Sequence, residues 1–306
     1  MSRGIAARGL SKVFSGRLAV DGVSFTAEPG EVFGLLGPNG AGKTTTVRML
    51  TTMLAPSGGT AEVAGVAVTP QTGPELRRRI GVMPEAAGLY SKLTVADNLM
   101  FFARLYGYRG TAASKRIDRA LQAVGLQPRA ADLAGTLSKG LRQRAALART
   151  LVGDPEVLFL DEPTAGLDPE ATAEVRELIA SLRSRGVTVF LTTHRLEEAQ
   201  RLCDRVAIIN TRLLTVGSPD ELRTRSGAEA YTLRVAGDAG PVLDRLAAVR
   251  AAPRPDGSWR VEVADSAKGV AEMVRRLVEA GIDVHELART DRSLEDAYLD
   301  LVREQR

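Results

Sequence analysis

Residues 31–44 read EVFGLLGPNGAGKT, and this stretch decides the fold of the first part of the chain. The compact apolar run EVFGLLG (31–37) ends in glycine and is typical of a buried strand. From Lys43 to about Met53 the periodicity is helical. Residues 37–44, where the strand gives way to the helix, fit the pattern G-x-x-x-x-G-K-[ST]. They lie in the strand–loop–helix context that a phosphate-binding loop requires. They are Gly37, Pro38, Asn39, Gly40, Ala41, Gly42, Lys43 and Thr44.

The chemistry of this P-loop (residues 37–44) predicts a nucleoside triphosphate site. Its glycines allow backbone N–H groups to turn inward around phosphate oxygens, and the helix that follows presents its positive N-terminal end. Lys43 can reach the β- and γ-phosphates, and the Thr44 hydroxyl can ligate Mg²⁺. Thr45, the next residue, belongs to the same predicted nucleotide-binding set. The loop alone does not separate ATPases from GTPases or kinases.

A second motif, VLFLDE (157–162), is an apolar strand that ends in two acids. Ligands bind to α/β sheets at the carboxyl ends of the strands, which is where this strand places Asp161 and Glu162. Asp161 can hold Mg²⁺ through water, and Glu162 can polarise the water that attacks a γ-phosphate. A solvated pair of acids at a strand end is the alternative, and the preceding P-loop argues against it.

The order of elements predicts an α/β core followed by a smaller domain. Residues 1–30 and 58–70 have the pattern of short strands, 74–125 is mostly helical, and strands return at 157–160, 187–193 and 205–210. Helical segments at 170–185 and 195–203 separate those strands, as in parallel β-α units. A turn-rich stretch near 217–229 marks a boundary, which divides the chain into domains 1–225 and 226–306.

The second domain is predicted to contain three strand–helix units in a small α+β fold. The expected strands are YTLRVAG (231–237), SWRVEVA (258–264) and IDVHELA (282–288). The expected helices are PVLDRLAAV (241–249), AKGVAEMVRRLVEAG (267–281) and SLEDAYLDLVREQ (293–305).

Composition excludes several classes of protein. The 306 residues are 44% hydrophobic and 25% charged, which is ordinary for a globular chain. A net charge of +4 is too mild to predict nucleic-acid binding. The single cysteine, Cys203, excludes an intramolecular disulfide, and we expect it to be a packed core thiol with no disulfide partner. No apolar run reaches the roughly 18 residues of a membrane span, so we expect a cytosolic chain.

Three further segments carry a family resemblance. LSKGLRQR (137–144) lies between the two motifs, PTAGLD (163–168) follows the acids, and His194 ends the strand VFLTTH (189–194). This ordered set resembles the nucleotide-binding subunits of ATP-binding cassette (ABC) transporters, over roughly residues 5–225. The tail is similar to the small C-terminal domain of ABC-2-type exporter ATPases of the daunorubicin-resistance-like group, in which SLEDAYLDLV (293–302) resembles the closing segment.

The resemblance implies roles for individual residues. Phe14 occupies the position of an aromatic residue that stacks on adenine, although a lone aromatic is also typical of core packing. Glu85 stands where the family usually has a glutamine that contacts Mg²⁺ and the attacking water. His194 resembles the histidine that contacts the γ-phosphate. Glu162, His194, Lys43 and Glu85 thus form the predicted catalytic set, and Thr44, Asp161 and Glu85 the predicted Mg²⁺ ligands.

The segment LSKGL (137–141), called the signature segment below, implies that two chains must meet. It differs from the usual LSGGQ at Lys139 and Leu141 but keeps Ser138 and Gly140. In this family the segment faces the P-loop of a second subunit, so that ATP lies at a homodimer interface near Asp168. Ser138 alone is also a plausible helix N-cap.

The resemblance also implies a separate multi-span membrane permease, to which the chain binds on the cytoplasmic face of the membrane. Tyr90, Phe101 and Phe102 are consistent with a docking groove for it or with core packing. An exporter is the main interpretation. A soluble ABC ATPase acting on the ribosome or on nucleic acid is the alternative, and an importer ATPase is a further one. The tail is either a ligand-sensing regulator or an aid to dimerisation and stability.

Overall fold

The computed structural model describes residues 4–224, 229–263, 266–290 and 293–303. The chain divides into two compact units, Met1–Pro219 and Asp220–Arg306. The boundary expected from the sequence, after residue 225, lies a few residues further along the chain. Each unit is described by itself below.

The strands of the first unit form two sheets. They are β1 (Ile5–Phe14), β2 (Arg17–Ala27), β3 (Val32–Leu36), β4 (Gly58–Val63), β5 (Val66–Ala67), β6 (Ile80–Met83), β7 (Val157–Asp161), β8 (Thr188–Thr193), β9 (Arg205–Asn210) and β10 (Arg212–Gly217). The central sheet has the order β10-β9-β3-β8-β7-β6, and all its neighbours are parallel except β10 and β9. A second, antiparallel sheet has the order β2-β1-β4-β5.

The helices cover the central sheet and also form a separate helical part. They are α1 (Lys43–Leu50), α2 (Gly73–Arg79), α3 (Val95–Leu105), α4 (Gly110–Ala123), α5 (Lys139–Leu151), α6 (Pro169–Ser184), α7 (Leu196–Leu202) and α8 (Pro219–Thr224), the last lying at the unit boundary. Helices α3, α4 and α5 pack against one another. The predicted α/β core is confirmed for this unit, in which a mixed sheet is accompanied by an antiparallel sheet and a helical part.

Burial explains why the central strands have nearly continuous apolar sequences. Every residue of β3, β7 and β8 is buried, as expected of parallel strands that are covered on both faces. Phe33 and Phe190 stack with their ring centroids 5.8 Å apart, and Phe25 stacks on both. Full burial of each ring stabilises the fold by about 1.5–3 kcal/mol. Because the three strands are parallel, the loops that follow them meet at one edge of the sheet.

Two strands of this unit were not predicted. The interval 74–125 was expected to be helical apart from turns, but Ile80–Met83 is β6, an edge strand paired with β7. Four residues are too few for periodicity to distinguish a buried strand from a helix. Strand β10, Arg212–Gly217, pairs with β9 after a turn at Thr211, whose φ is +62°. It lies at the edge of the central sheet, where Leu213 and Val216 pack against the core.

The second unit is an antiparallel sheet with helices. Its elements are β11 (Glu229–Val235), α9 (Gly240–Leu243), β12 (Val249–Pro253), β13 (Trp259–Val263), α10 (Ser266–Glu279), β14 (Val284–Thr290) and α11 (Leu294–Arg303). The sheet order is β12-β13-β11-β14, and all neighbours are antiparallel. Leu233, Val261, Val263, Met273 and Leu277 form the centre of its core.

One prediction for this unit was wrong. The expected helix 241–249 is helical only at Gly240–Leu243, and Val249–Pro253 forms the edge strand β12. The sequence VRAAP has few good strand formers, and its proline is tolerated because the strand lies at the edge of the sheet. Pairing with β13 therefore overrides a weak local preference.

Candidate functional site

The loops at the carboxyl ends of β3, β7 and β8 surround a cavity of about 260 Å³. The P-loop forms most of its wall, and residues from β2 and from the loops after β6, β7 and β8 complete it. The lining residues are Ala19, Pro38, Asn39, Gly40, Ala41, Gly42, Lys43, Thr44, Thr45, Glu85, Glu162, Ala165 and His194.

Gly42 shows why the P-loop requires glycine. It has a φ of +98° and caps α1, and a Cβ added there would lie 2.6 Å from the backbone oxygen of Ala19. A side chain would therefore be strained and would push the loop away from β2. The first turn of α1 contains no acid, so nothing on the helix neutralises its positive end. The loop is thus suited to hold phosphate.

Lys43 lies inside this cavity and is only 7% exposed. Its Nζ donates hydrogen bonds to the carbonyls of Gly37 at 2.7 Å and Pro38 at 3.2 Å, and lies 3.7 Å from Glu162 Oε1. Both carbonyls belong to the P-loop itself. The ammonium group is therefore held beside the loop that would bind phosphate and beside the predicted general base.

The predicted metal ligands Thr44 and Asp161 lie next to each other. The Thr44 hydroxyl donates to Asp161 Oδ2 at 3.1 Å, and the Thr192 hydroxyl donates to Oδ1. Hydroxyl and carboxylate oxygens are the ligands that Mg²⁺ prefers, usually together with water and substrate phosphates. Within the described residues, no cluster of three or more His, Cys, Asp or Glu side chains could hold a metal by itself. The third predicted ligand, Glu85, lines the cavity with an exposed side chain.

Glu162 and His194 are brought together across β7 and β8. His194 Nδ1 lies 3.0 Å from Glu162 Oε2, and the carboxylate side chain is 11% exposed. Glu162 has a φ of +50°, a conformation that costs a non-glycine residue about 1–2 kcal/mol. Its N–H donates to the carbonyl of Thr192 at 3.2 Å, which fixes this strained backbone on the neighbouring strand. Such strain is common where a side chain must be aimed at a substrate.

The residues predicted for a second subunit's nucleotide do not line this cavity. Ser138 caps α5 by accepting from Leu141 N at 3.3 Å, and Asp168 caps α6 by accepting from Ala171 N at 2.8 Å. Gly140 is buried against α6, where an added Cβ would lie 2.7 Å from the Ala171 Cβ. The small residue therefore lets α5 and α6 approach each other.

Phe14 also lies outside the cavity lining. It ends β1 with 45% of its surface exposed, and Lys12 Nζ lies 5.3 Å from its ring centroid. The alternative interpretation, a core phenylalanine, does not fit this exposure.

Several polar residues that hold the site together were not predicted from the sequence. Gln143 donates from Nε2 to the carbonyl of Pro163 at 2.7 Å and so fixes the loop after the two acids. Arg149 donates to the carbonyl of Gly88 at 2.9 Å, in the segment after Glu85, and burial lowers the pKa of its guanidinium. Glu198 is buried between two of the loops. A polar residue on the buried side of an amphipathic helix is the only sequence signal they carry.

Comparison with known proteins decides the family. The ABC transporter family pattern matches residues 20–165. The chain is 44% identical over 216 residues to the Nod factor export ATP-binding protein I of Burkholderia lata, which covers 70% of this chain and 71% of that protein. The chain belongs to the ATP-binding subunits of ABC transporters. The family resemblance drawn from the motifs is therefore confirmed, and as a member of this family the subunit binds ATP and hydrolyses it to power transport.

A second relative and a solved structure support the same family for this ABC subunit. It is 43% identical over 237 residues to the daunorubicin/doxorubicin resistance ATP-binding protein DrrA of Streptomyces peucetius, covering 76% of this chain and 71% of that protein. A solved structure of cbiO1 from Clostridium perfringens, part of the ABC transporter complex cbiONQ, superposes with a TM-score of 0.67 at 30% identity, covering 71% and 89% of the two chains. Across the described ranges, none of the subunit's helices has the length and apolar character of a membrane span.

Proposed function

We propose that this subunit hydrolyses ATP for an ABC-2-type exporter, as one of two identical chains bound to a separate multi-span permease on the cytoplasmic face of the membrane. The observation that carries the catalytic part is the contact of Glu162 with His194, 3.0 Å apart, beside the buried Lys43. The observation that supports export is the pair of relatives whose names refer to Nod factor export and daunorubicin/doxorubicin resistance.

In the proposed reaction the P-loop and Lys43 bind the β- and γ-phosphates of ATP. Thr44 and Asp161, with Glu85 nearby, would hold Mg²⁺, which would neutralise phosphate charge when bound. Glu162 accepts a proton from the attacking water, whose oxygen bonds to the γ-phosphorus. The bond between the γ-phosphorus and its bridging oxygen breaks, so that ADP keeps the bridging oxygen and inorganic phosphate is the second product. His194 orients Glu162 through the contact of Nδ1 with Oε2 and contacts the γ-phosphate.

The proposed dimer follows from residues that lie outside the cavity of their own chain. Ser138 and Gly140 stand at the start of α5, whose first turn contains no acid, so its positive end is available to a phosphate. Asp168 is exposed at the start of α6. In the dimer Ser138, Gly140 and Asp168 would contact the ATP held by the P-loop of the other chain. Phe14, exposed on β1, would stack on the adenine of a bound ATP.

The proposed permease contact lies on the helical part of the first unit. Tyr90 and Phe101 are 50% and 39% exposed and meet edge to face at 5.2 Å, and Leu105 is 67% exposed. Phe102 instead packs under the Arg149 guanidinium, 4.8 Å from its ring centroid. Two of the three aromatic residues singled out from the sequence are therefore available to a partner, and the third is partly buried against Arg149.

The alternatives receive less support. A soluble ABC ATPase acting on the ribosome or on nucleic acid would be expected to carry a second cassette or a strongly basic surface, and the net charge is only +4. An importer ATPase usually keeps glutamine at the position of Glu85 and the LSGGQ form of the signature segment. The relatives named for export and resistance also favour export.

The catalytic proposal is tested by Glu162→Gln, with Glu170→Gln as the matched control on an exposed acid. Because the amide cannot accept the proton, we expect steady-state ATP hydrolysis to fall by about 100-fold or more while ATP still binds. Glu170→Gln should hydrolyse ATP at the native rate. An unchanged rate in Glu162→Gln would remove this residue from the role of general base.

The transport proposal is tested by affinity purification from the native membrane. We expect the chain to copurify with a protein that has several apolar segments of about 20 residues. Leu105→Asp should weaken this association and leave the ATPase rate of the isolated chain unchanged. Recovery without any membrane partner, together with a ribosomal or nucleic-acid partner, would favour the alternative.

A further inference from the structure

Glu198, on α7, is a buried carboxylate that contacts two loops of the site. It is 1% exposed. Its Oε1 accepts a hydrogen bond from the Thr164 hydroxyl, and its Oε2 accepts one from the Thr193 hydroxyl at 2.7 Å. Both threonines are fully buried. We propose that Glu198 is a positioning residue for ATP hydrolysis, which holds the loop after Glu162 and the loop carrying His194 at a fixed separation.

The contacts of Glu198 close a ring around the proposed general base. Thr164 follows Glu162 by two residues, and Thr193 directly precedes His194. The ring closes at Glu162 because His194 Nδ1 lies 3.0 Å from Glu162 Oε2. Each step of the ring is a covalent link or a hydrogen bond, and the hydrogen-bonded side chains are buried except for the half-exposed imidazole of His194. A change at Glu198 is therefore transmitted to the separation of His194 and Glu162.

The chemistry of the position argues that it is not chosen for packing alone. No Lys or Arg among the described residues forms an ion pair with Glu198. Desolvating an unpaired carboxylate costs several kcal/mol, so an apolar residue of similar volume would be cheaper if the site needed only to be filled. A carboxylate has two acceptor oxygens on one rigid plane, which is what two hydroxyl donors on separate loops require.

The same loop connects this ring to the proposed dimer interface. Pro163–Leu167 runs from Glu162 to Asp168, and Gln143 of α5 holds it at Pro163. Glu198 holds it at Thr164, the next residue. Leu167, which precedes Asp168, donates from its N–H to the carbonyl of Thr164 at 3.2 Å, so the loop connects Asp168 to the residues that Gln143 and Glu198 fix. This inference rests on the proposed roles of Glu162 and His194.

The test compares Glu198→Ala and Glu198→Gln with Glu197→Ala, a matched control on the exposed neighbouring acid. In the Mg·ATP-saturated full chain we expect Glu198→Ala to lower kcat between about 10-fold and about 100-fold, because misplacement by about 1 Å has effects of this size. KM for ATP and affinity for ADP should stay within about twofold, since neither Thr164 nor Thr193 lines the P-loop wall. Glu198→Gln, which keeps one acceptor and the same shape, should recover much of the rate. Glu197→Ala should behave as the native chain.

A spectroscopic measurement separates positioning from simple destabilisation. The chain has only two histidines, His194 and His285, so in a His285→Gln background the imidazole NMR signals report on His194 alone. We expect Glu198→Ala to move these signals in the same direction as Glu162→Gln does, because both remove the fixed contact of the two side chains.

Three outcomes would overturn the proposal. They are a native kcat in folded Glu198→Ala, an equal loss of kcat and ADP affinity, and His194 signals that do not move. If Glu198→Ala does not fold, Thr164→Val and Thr193→Val each remove one hydroxyl while keeping the shape, and native rates in both would have the same meaning. A native rate in Glu162→Gln would instead refute the proposed function, so the two failures are distinguishable.

Discussion

The central sheet of the first unit and the sheet of the second unit differ in the relative direction of their strands and in how completely the strands are buried. In the first, β3, β7 and β8 are buried along their whole length, and their carboxyl ends lie side by side. In the second, every neighbouring pair is antiparallel, and β11 and β13 mix buried with partly exposed residues. Parallel strands bring their following loops to one edge, whereas antiparallel strands send them to opposite edges.

The consequence is visible in where the charged residues lie. In the first unit Lys43, Asp161 and Glu162 are buried at one edge, beside the cavity. In the second unit charges pair across the sheet, as in the contact of Arg234 with Glu286 at 3.1 Å, and between sheet and helix, as in that of Arg260 on β13 with Asp296 on α11. We therefore expect ATP hydrolysis to depend on the residues of the first unit. The charges of the second unit should stabilise the fold of that unit.

The largest expected difference is in ATP hydrolysis, between a lysine substitution in the first unit and one in the second. Lys43→Ala removes the ammonium that would bind the phosphates, and we expect ATP hydrolysis to fall by about 100-fold or more, the usual cost of losing one well-placed donor. Lys268→Ala, on exposed residue 268 of the second unit, should hydrolyse ATP at the native rate. Steady-state phosphate release measures both. Similar losses of ATP hydrolysis in the two variants would contradict the expectation that hydrolysis depends on the first unit.

A second comparison truncates one buried side chain in each core. Phe190→Ala and Leu277→Ala remove fully buried groups, and each should lower the free energy of unfolding of its own unit by about 2–5 kcal/mol. Denaturant unfolding followed in parallel with ATPase assays measures the effect. We expect hydrolysis to fall with unfolding of the first unit in Phe190→Ala and to persist in Leu277→Ala. If Leu277→Ala lost hydrolysis equally, the second core would be part of the motor.

The same contrast explains how far the sequence predicts this molecule. The P-loop and the acids at 161–162 were predictable because fixed spacings and long apolar runs carry their own signal. Strands β6 and β12 were not, because each is short and held by pairing at a sheet edge. Gln143 and Glu198 were missed because their roles come from partners 20 and 34 residues away in the chain, which no local pattern reveals.

The smallest effect concerns the single cysteine. Burial raises the pKa of the Cys203 thiol well above its ordinary value, and the carboxylate of Glu198 adds to the shift. The thiol should therefore react slowly with a disulfide reagent from about pH 7 to about pH 9, where a free thiol ionises, and rapidly in urea.

The raised pKa also fixes the sign of a pH effect on stability. Its contribution to the free energy of unfolding is fully present below the unfolded value of about 8.5 and declines as the pH rises above it. Because Cys203 lies in the first unit and is the only cysteine, its reaction reports on that unit alone. A native chain that reacts as fast as the urea-unfolded chain would contradict the burial on which the comparison rests.

The most direct test of an ATP site shared by two chains is to measure the mass of the Glu162→Gln chain by sedimentation, once with Mg·ATP and once with Mg·ADP. If the edge of the parallel sheet binds ATP and the signature segment of a second chain completes the site, the variant should sediment as two chains with ATP retained and as one chain with ADP. A species of one chain with ATP bound would contradict the shared site, and conversion of ATP to ADP at the native rate during the run would contradict Glu162 as the base.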